Sequence, residues 1–551
     1  MLPDWARGPP NETRPDRSSV GAGAGGLPEA GGPCPETITD SHKVNTGVTT
    51  QSVGARRVSA LSALLVLGFL GLFFVDAELF AQVVDQSFGW SAQYFGLFWQ
   101  LLMIANFSVA LLVATRPYAS EPLGGRDTPE FPAFQWIAMV LCTLLAGGGV
   151  FWAAAEPVAH YVSLPPLFTG IESGSAEAVP IALSQSFLHW GFLAWAILGS
   201  LTAVILMRLH YDRGLPLAPR TLLFPLTGEK GVRGPLGDIA DVVAILAVFA
   251  GTVGPIGFLG LQISYGLSTL YGTPDTTPVQ LVTIAGLMLV YLISAVSGMH
   301  RGIQLLSRIN VVLGCALLLF LLVAGPTAFI FRGFFEGLVS HLQWLPWQAM
   351  HRGDAGWFDE PGWLAYWTIF FWGWFIGYGP MMAIFIARIS RGRSARQIIL
   401  LMCVVAPVLT MAWFSILGGT ALGLETANPG TITEPFEGFN LPAVLLAITQ
   451  AMPLNDLISL LFLVLTVLFV ATTGDSMTFS LSVVSAGNDN PPRSLRLFWG
   501  LALGITAMVL VGGPEGGVGK LQNFIVVTAV PVSLLLLPSL WGVFPVLRRG
   551  S

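Results

Sequence analysis

The run Thr472-Thr473-Gly474-Asp475-Ser476 sets two adjacent hydroxyls and a carboxylate inside a largely apolar stretch. Hydroxyl and carbonyl oxygens are the hard ligands that sodium takes. Threonine hydroxyls in helices also bond back to the preceding turn, so the pair alone does not choose between ion and packing. Asp475 says more, because a carboxylate within a membrane span is functional by default. Its alternative is structural, paired with arginine near a span end, since polar residues cluster after it. A second set is aromatic. Trp374 and Tyr378 stand four apart, hence on one helix face, with Phe375 beside them; Trp190 and Trp195 lie in an earlier apolar run. Ring faces attract cations, and the same rings are common in membrane helices as packing and interfacial groups. The apolar runs hold no recognisable nucleophile–base constellation and few histidines, which disfavours an enzyme. Cys34, Cys142, Cys315 and Cys403 are far apart and show neither metal spacing nor a disulfide framework.

Two runs that must position these groups carry helix-breaking signals. One is Ala146-Gly147-Gly148-Gly149; the other comprises Gly373, Gly377 and Gly379-Pro380. Glycine weakens a helix by about 1 kcal/mol, and proline removes a backbone donor. Unwound backbone at membrane depth survives only inside protein or beside a water-filled cavity. Close packing of helices through small residues is the other source of such a pattern.

The chain as a whole is built for a bilayer. Of its 551 residues 54% are hydrophobic and only 10% charged, where a soluble protein carries about 25% charged residues. The net charge of −5 names no partner, and without a dense basic stripe nucleic acid is not expected. Residues 1–55 differ, being rich in Gly, Pro, Ser and Thr. They cannot bury enough apolar surface to fold, and they lack the charged start and apolar stretch of a signal peptide. They read as a disordered cytoplasmic tail before a transmembrane domain spanning 56–551.

Spans of about 20 apolar residues centre near 70, 104, 143, 195, 253, 287, 319, 375, 410, 465, 504 and 532. With both termini cytoplasmic, only Arg332, Arg352 and Lys520 of the 26 Lys and Arg fall outside, as the positive-inside rule requires. Phe334–Met350, ending in Trp344-Leu-Pro-Trp347, reads as an amphipathic helix on the outer face. The expected fold is an all-α membrane protein of twelve transmembrane helices. Spans 3–7 and 8–12 would form two inverted five-helix repeats, each opening with one of the glycine-marked helices. Paired interrupted helices in inverted halves point to a transporter site.

The stretch Tyr366-Trp-Thr-Ile-Phe-Phe-Trp-Gly-Trp-Phe-Ile-Gly-Tyr-Gly-Pro380 resembles the aromatic signature helix of the betaine/carnitine/choline transporter family. Phe385-Ile-Ala-Arg-Ile-Ser-Arg-Gly-Arg-Ser394 resembles the loop after it. Leu123–Phe131, Glu156-Pro157, His189-Trp-Gly191, Gly302–Asn310, Trp413–Leu422, Leu521-Gln522 and Ala529-Val-Pro531 fit in order. The resemblance implies uptake of a small zwitterion or cation with a quaternary ammonium or sulfonium group, at the inner membrane, often by a homotrimer surrounded by lipid. No cofactor is implied beyond sodium as the coupling ion.

A quaternary ammonium has no N–H to donate, so ring faces must hold it. The resemblance places that cage on Trp190, Trp195, Trp374, Phe375 and Tyr378. The family's tryptophans are replaced at Phe375 and Tyr378, and a tyrosine by Leu198, so the cage differs in shape. Backbone N–H groups of Ala146, Gly147 and Gly148 would take a substrate carboxylate. The resemblance places sodium on the Thr472 and Thr473 hydroxyls and the carbonyls of Leu145 and Phe469, with Cys142 a weaker match. Met381 replaces the aromatic residue of a second ion site, which favours one sodium. In the family's sodium-independent exchangers a fifth-helix arginine replaces the ion; here residues 239–270 contain neither Lys nor Arg. A proton acting through Asp475 is the runner-up.

Overall fold

The structure, a computed structural model, describes residues 45–144, 148–297, 300–353, 362–488 and 490–548. Leu145, Ala146 and Gly147 lie outside these. The chain divides into two units, Met1–Thr49 and Thr50–Ser551.

Apolar runs become helices because a helix alone satisfies every backbone group within one segment. In chain order these are α1 (Asn45–Val75), α2 (Ala77–Ala114), α3 (Ala133–Leu144), α4 (Val150–Val162), α5 (Ala178–Trp190), α6 (Phe192–Gly199) and α7 (Thr202–Arg213). Then come α8 (Phe224–Arg233), α9 (Pro235–Tyr271), α10 (Thr277–Ser297), α11 (His300–Ala324), α12 (Thr327–Met350) and α13 (Phe370–Ile389). The last are α14 (Ala395–Leu400), α15 (Ala406–Ala427), α16 (Ala443–Gln450), α17 (Asn455–Ala486), α18 (Arg493–Gly512), α19 (Val518–Leu536) and α20 (Ser539–Arg548). Every expected span centre falls within one of them.

Ten described helical segments are long and apolar enough to cross a membrane, eleven if the bent pair α11–α12 counts as one. The count differs from twelve at two places. At α3 and α4, of 12 and 13 residues, neither is long enough alone. At α11, the chain bends by 103° into α12. This bend falls at Gly325-Pro326, where proline cannot continue the helix. α12 then buries Ile330, Gly333, Gly337 and His341 and exposes Trp344 and Trp347. Its exposed residues include Phe331, Phe335, Val339 and Leu342, and its buried ones include His341 and Gln348, so the polar and apolar faces expected of Phe334–Met350 are not separated.

The helix expected to break at Gly373, Gly377 and Gly379-Pro380 does not. α13 runs unbroken through all four, preceded by a π-helical turn at Ala365–Ile369. Its glycines serve close packing instead. A Cβ on Gly373 would lie 2.9 Å from Trp99, and one on Gly379 would lie 3.1 Å from Leu536. The unforeseen break is at Gly191, between α5 and α6, with φ −97° and ψ −132°. A Cβ there would meet the Phe187 carbonyl at 2.3 Å.

One end of the bundle gathers most of the basic loops. The Gly392 N–H bonds the Leu123 carbonyl at 2.7 Å, and Glu130 N–H bonds the Arg391 carbonyl. Arg391 covers the Tyr211 ring, Arg208 pairs with Glu121, and Arg396 donates to the Ala114 carbonyl. Elsewhere, Lys520 pairs with Asp85 near the start of α2, and Arg352 donates to Gln100 within that helix.

Candidate functional site

Three of the five expected aromatic residues, Trp190, Trp374 and Phe375, make ring contacts in the buried interior on α5 and α13, and Tyr378 lies one turn along α13. Trp190 is the last residue of α5, so the Gly191 break sets where its ring points. That ring meets Trp374 edge-on at 6.0 Å and Phe375 at 5.2 Å between centroids. Trp374 stacks on Phe375 at 6.3 Å and on Phe370 at 5.7 Å. Its indole N–H donates to the Gly251 carbonyl of α9 at 3.1 Å. Gly148, at the start of the α4 segment, lies against the same ring. A Cβ on Gly148 would come within 2.8 Å of it, so that backbone approaches Trp374 as only glycine permits. Tyr378, one turn on from Trp374, packs over Gly251 and bonds the Thr252 hydroxyl at 2.9 Å.

Trp195 stands apart. It is fully buried and donates its indole N–H to the Thr410 hydroxyl on α15 at 2.9 Å. Among the described residues it makes no ring contact with the other four. Phe371 and Phe414, 5.5 Å and 5.2 Å from Trp190, also extend the group.

The Tyr378 hydroxyl is the dispensable part of its side chain. Thr252 donates to the Val248 carbonyl at 2.7 Å, so it accepts from Tyr378 and keeps a partner without it. Tyr378→Phe should cost about 0.5–1.5 kcal/mol of stability and change ligand affinity less than threefold, or ~0.65 kcal/mol. Thermal unfolding and equilibrium binding of the purified variant check both halves. A tenfold loss of affinity would show that the hydroxyl, and not the ring, meets the ligand.

The expected ion ligands that are described share α17. Thr472 donates to the Leu468 carbonyl at 2.8 Å and the Phe469 carbonyl at 3.2 Å, and accepts from Asn310 Nδ2 of α11 at 3.0 Å. Thr473 makes no side-chain hydrogen bond among the described residues. Two hydroxyls and a carbonyl within one turn are a hard-oxygen set of the kind sodium takes. Leu145 lies outside the described residues, as do Ala146 and Gly147, so the fourth oxygen and two of the three proposed N–H donors are not placed. Asp475 is 5% exposed, on the same helix.

The expectations passed over a buried polar cluster beside the rings. Glu156 on α4 accepts from Trp190 Nε1 at 2.8 Å and lies 2.6 Å from His189 Nδ1. His160, one turn along α4, has Nε2 3.4 Å from the same carboxylate. Ligand atoms of these three lie within 4.8 Å of one another, which suits a metal ion in composition. The carboxylate and the His189 imidazole are, however, already bonded to each other. The signal for this cluster was a carboxylate and histidines in apolar runs, which are costly there and thus informative.

The sequence profile of the betaine/carnitine/choline family transporters (BCCT) matches residues 57–551. Glycine betaine transporter 2 of Vibrio parahaemolyticus is 52% identical, over 86% of this chain and 87% of its own length. The glycine betaine transporter OpuD of Bacillus subtilis is 34% identical, over 82% of this chain and 85% of its own. An ectoine/glycine betaine/proline transporter of Corynebacterium glutamicum is 31% identical, over 89% and 81%. Helices apolar enough to span a bilayer many times, a buried ring cluster on α5 and α13, and a match over nearly the whole chain agree: the protein belongs to the betaine/carnitine/choline family of transporters.

Proposed function

We propose that the protein takes up glycine betaine, or a closely related compatible solute, together with sodium. The observation that carries the substrate half is the contact among Trp190, Trp374 and Phe375, with Gly148 backbone against it. Three buried ring faces offer a methylated cation about 0.5–2 kcal/mol each. The two relatives described above as glycine betaine transporters support that class. The Thr472, Thr473 and Phe469 oxygens support sodium, as does the lack of Lys and Arg throughout α9. The gathering of Arg116, Arg208, Arg391, Arg396 and Arg548 near one end supports cytoplasmic termini. A homotrimer remains part of the proposal, to be read from the mass of the complex in native-like lipid.

Radiolabelled uptake into proteoliposomes decides the substrate, with glycine betaine, choline, carnitine, dimethylsulfoniopropionate and ectoine presented under an inward sodium gradient. Glycine betaine should be accumulated above its external concentration. Accumulation of ectoine but no methylated cation would overturn the ring-cage reading. Uptake only in exchange for internal substrate would favour an exchanger.

A further inference from the structure

We infer that Glu156 is a charge-selecting residue of the binding site, placing a buried carboxylate behind the ring cage to favour a cationic head group. This rests on the cage reading proposed above. Glu156 is fully buried, and among the described residues no lysine or arginine lies within ion-pair distance of it.

A chain of hydrogen bonds fixes the polarity around it. The Ser184 hydroxyl donates to Gln348 Oε1 at 3.1 Å, and Gln348 Nε2 donates to Gln185 Oε1 at 3.1 Å. Gln185 therefore presents its N–H to His189 Nε2, at 3.0 Å. Thr368 stands on the same nitrogen at 2.9 Å. Nε2 thus accepts, and the imidazole proton sits on Nδ1, facing Glu156 Oε1. The other carboxylate oxygen takes the Trp190 indole N–H. Both oxygens accept from these donors, and the imidazole that faces the carboxyl group is neutral. His160 adds no hydrogen bond of its own, both ring nitrogens lacking one.

A negative charge on Glu156 would have no fixed counter-charge among the described residues, and a cation bound against the neighbouring rings would supply one. The carboxylate's nearest cage ring is Trp190, which touches both Trp374 and Phe375. A quaternary ammonium against those faces sits one ring away from the carboxylate. Attraction across that gap, in a site screened from water, adds to the pull of the rings. A neutral group of the same shape gains neither. Positioning is the second consequence: the same carboxylate holds the Trp190 indole by its N–H.

The test compares two ligands of one shape. Glycine betaine and 3,3-dimethylbutyrate differ only in a quaternary nitrogen or carbon. Their affinities are measured by competition on the full-length carrier in lipid nanodiscs, at saturating sodium and constant pH. Wild type should prefer betaine by at least about thirtyfold. Glu156→Gln should lower that ratio at least about tenfold, whatever it does to affinity overall. No preference in wild type would reject the cage reading itself. A wild-type preference that survives Glu156→Gln would overturn the inference and leave the cage standing. Should Glu156→Gln fail to insert, Glu156→Asp decides: the retained charge must keep the ratio within about fivefold, and a tenfold loss overturns the inference.

Discussion

Leucine in place of Trp374 should weaken glycine betaine binding more than tenfold while leaving the protein inserted and folded. The ring lies at the meeting of three elements. It contacts Trp190 of α5, hydrogen-bonds the Gly251 carbonyl of α9, and closes on Gly148 at the start of α4. Leucine keeps the site apolar and fills part of the volume, so a merely greasy pocket would barely notice. What leucine lacks is a π face, and a tryptophan face attracts a desolvated cation by up to about 2 kcal/mol. A tenfold loss needs only ~1.4 kcal/mol. The loss should also be selective, larger for betaine than for its uncharged-head isostere. Equal betaine affinity in a variant with unchanged thermal stability would remove Trp374 from the cage, and with it the reading of this ring cluster as the binding site.

Much of this architecture is legible in the sequence because a bilayer asks a simple question of each segment. Twenty apolar residues either occur or do not, and every expected centre lies in a helix. The sharp turn into α12 was not foreseen: the paired tryptophans set Phe334–Met350 apart from the spans, but Gly325-Pro326 was not marked as the bend. Breaks within spans were harder. Gly373, Gly377, Gly379 and Pro380 suggested an interruption, yet α13 continues through them because neighbours such as Trp99 and Leu536 need the missing side chains. Gly191 gave no such warning. At the break between Trp190 and Phe192, Met411 and the Phe187 carbonyl leave no room for a Cβ, so only glycine fits. The same limit applies at the site. Helical spacing puts Trp374 and Tyr378 on one face, but nothing local shows that Trp195 turns toward Thr410 and away from the other rings. Nor does spacing reveal that Thr368 and His189, far apart in the chain, share one hydrogen bond. Contacts between elements depend on how helices pack, and apolar periodicity does not encode that.

Removing external sodium, with potassium replacing it at constant pH, should lower glycine betaine uptake at least tenfold. A fixed cation could stand in for a bound ion, but α9 offers none, having no Lys or Arg from Pro235 to Tyr271. On the proposed reading, the oxygens of Thr472, Thr473 and Phe469 on α17 would be completed by a mobile cation. An ion that binds one conformation more tightly shifts the protein toward it, and only through that difference in affinity. The two hydroxyls are not equivalent. Thr472 already donates to the Leu468 and Phe469 carbonyls and accepts from Asn310, so its lone pairs are partly committed. The Thr473 hydroxyl is not engaged with any described residue. Thr473→Ala should therefore raise the sodium needed for half-maximal uptake more than Thr472→Ala does, and the double variant most of all. The maximal rate at saturating sodium should change far less than the half-saturation point. Full-rate uptake in sodium-free medium would reject ion coupling through these oxygens. If uptake then followed an inward proton gradient and was lost in Asp475→Asn, the coupling would belong to that carboxylate, one turn further along the same helix.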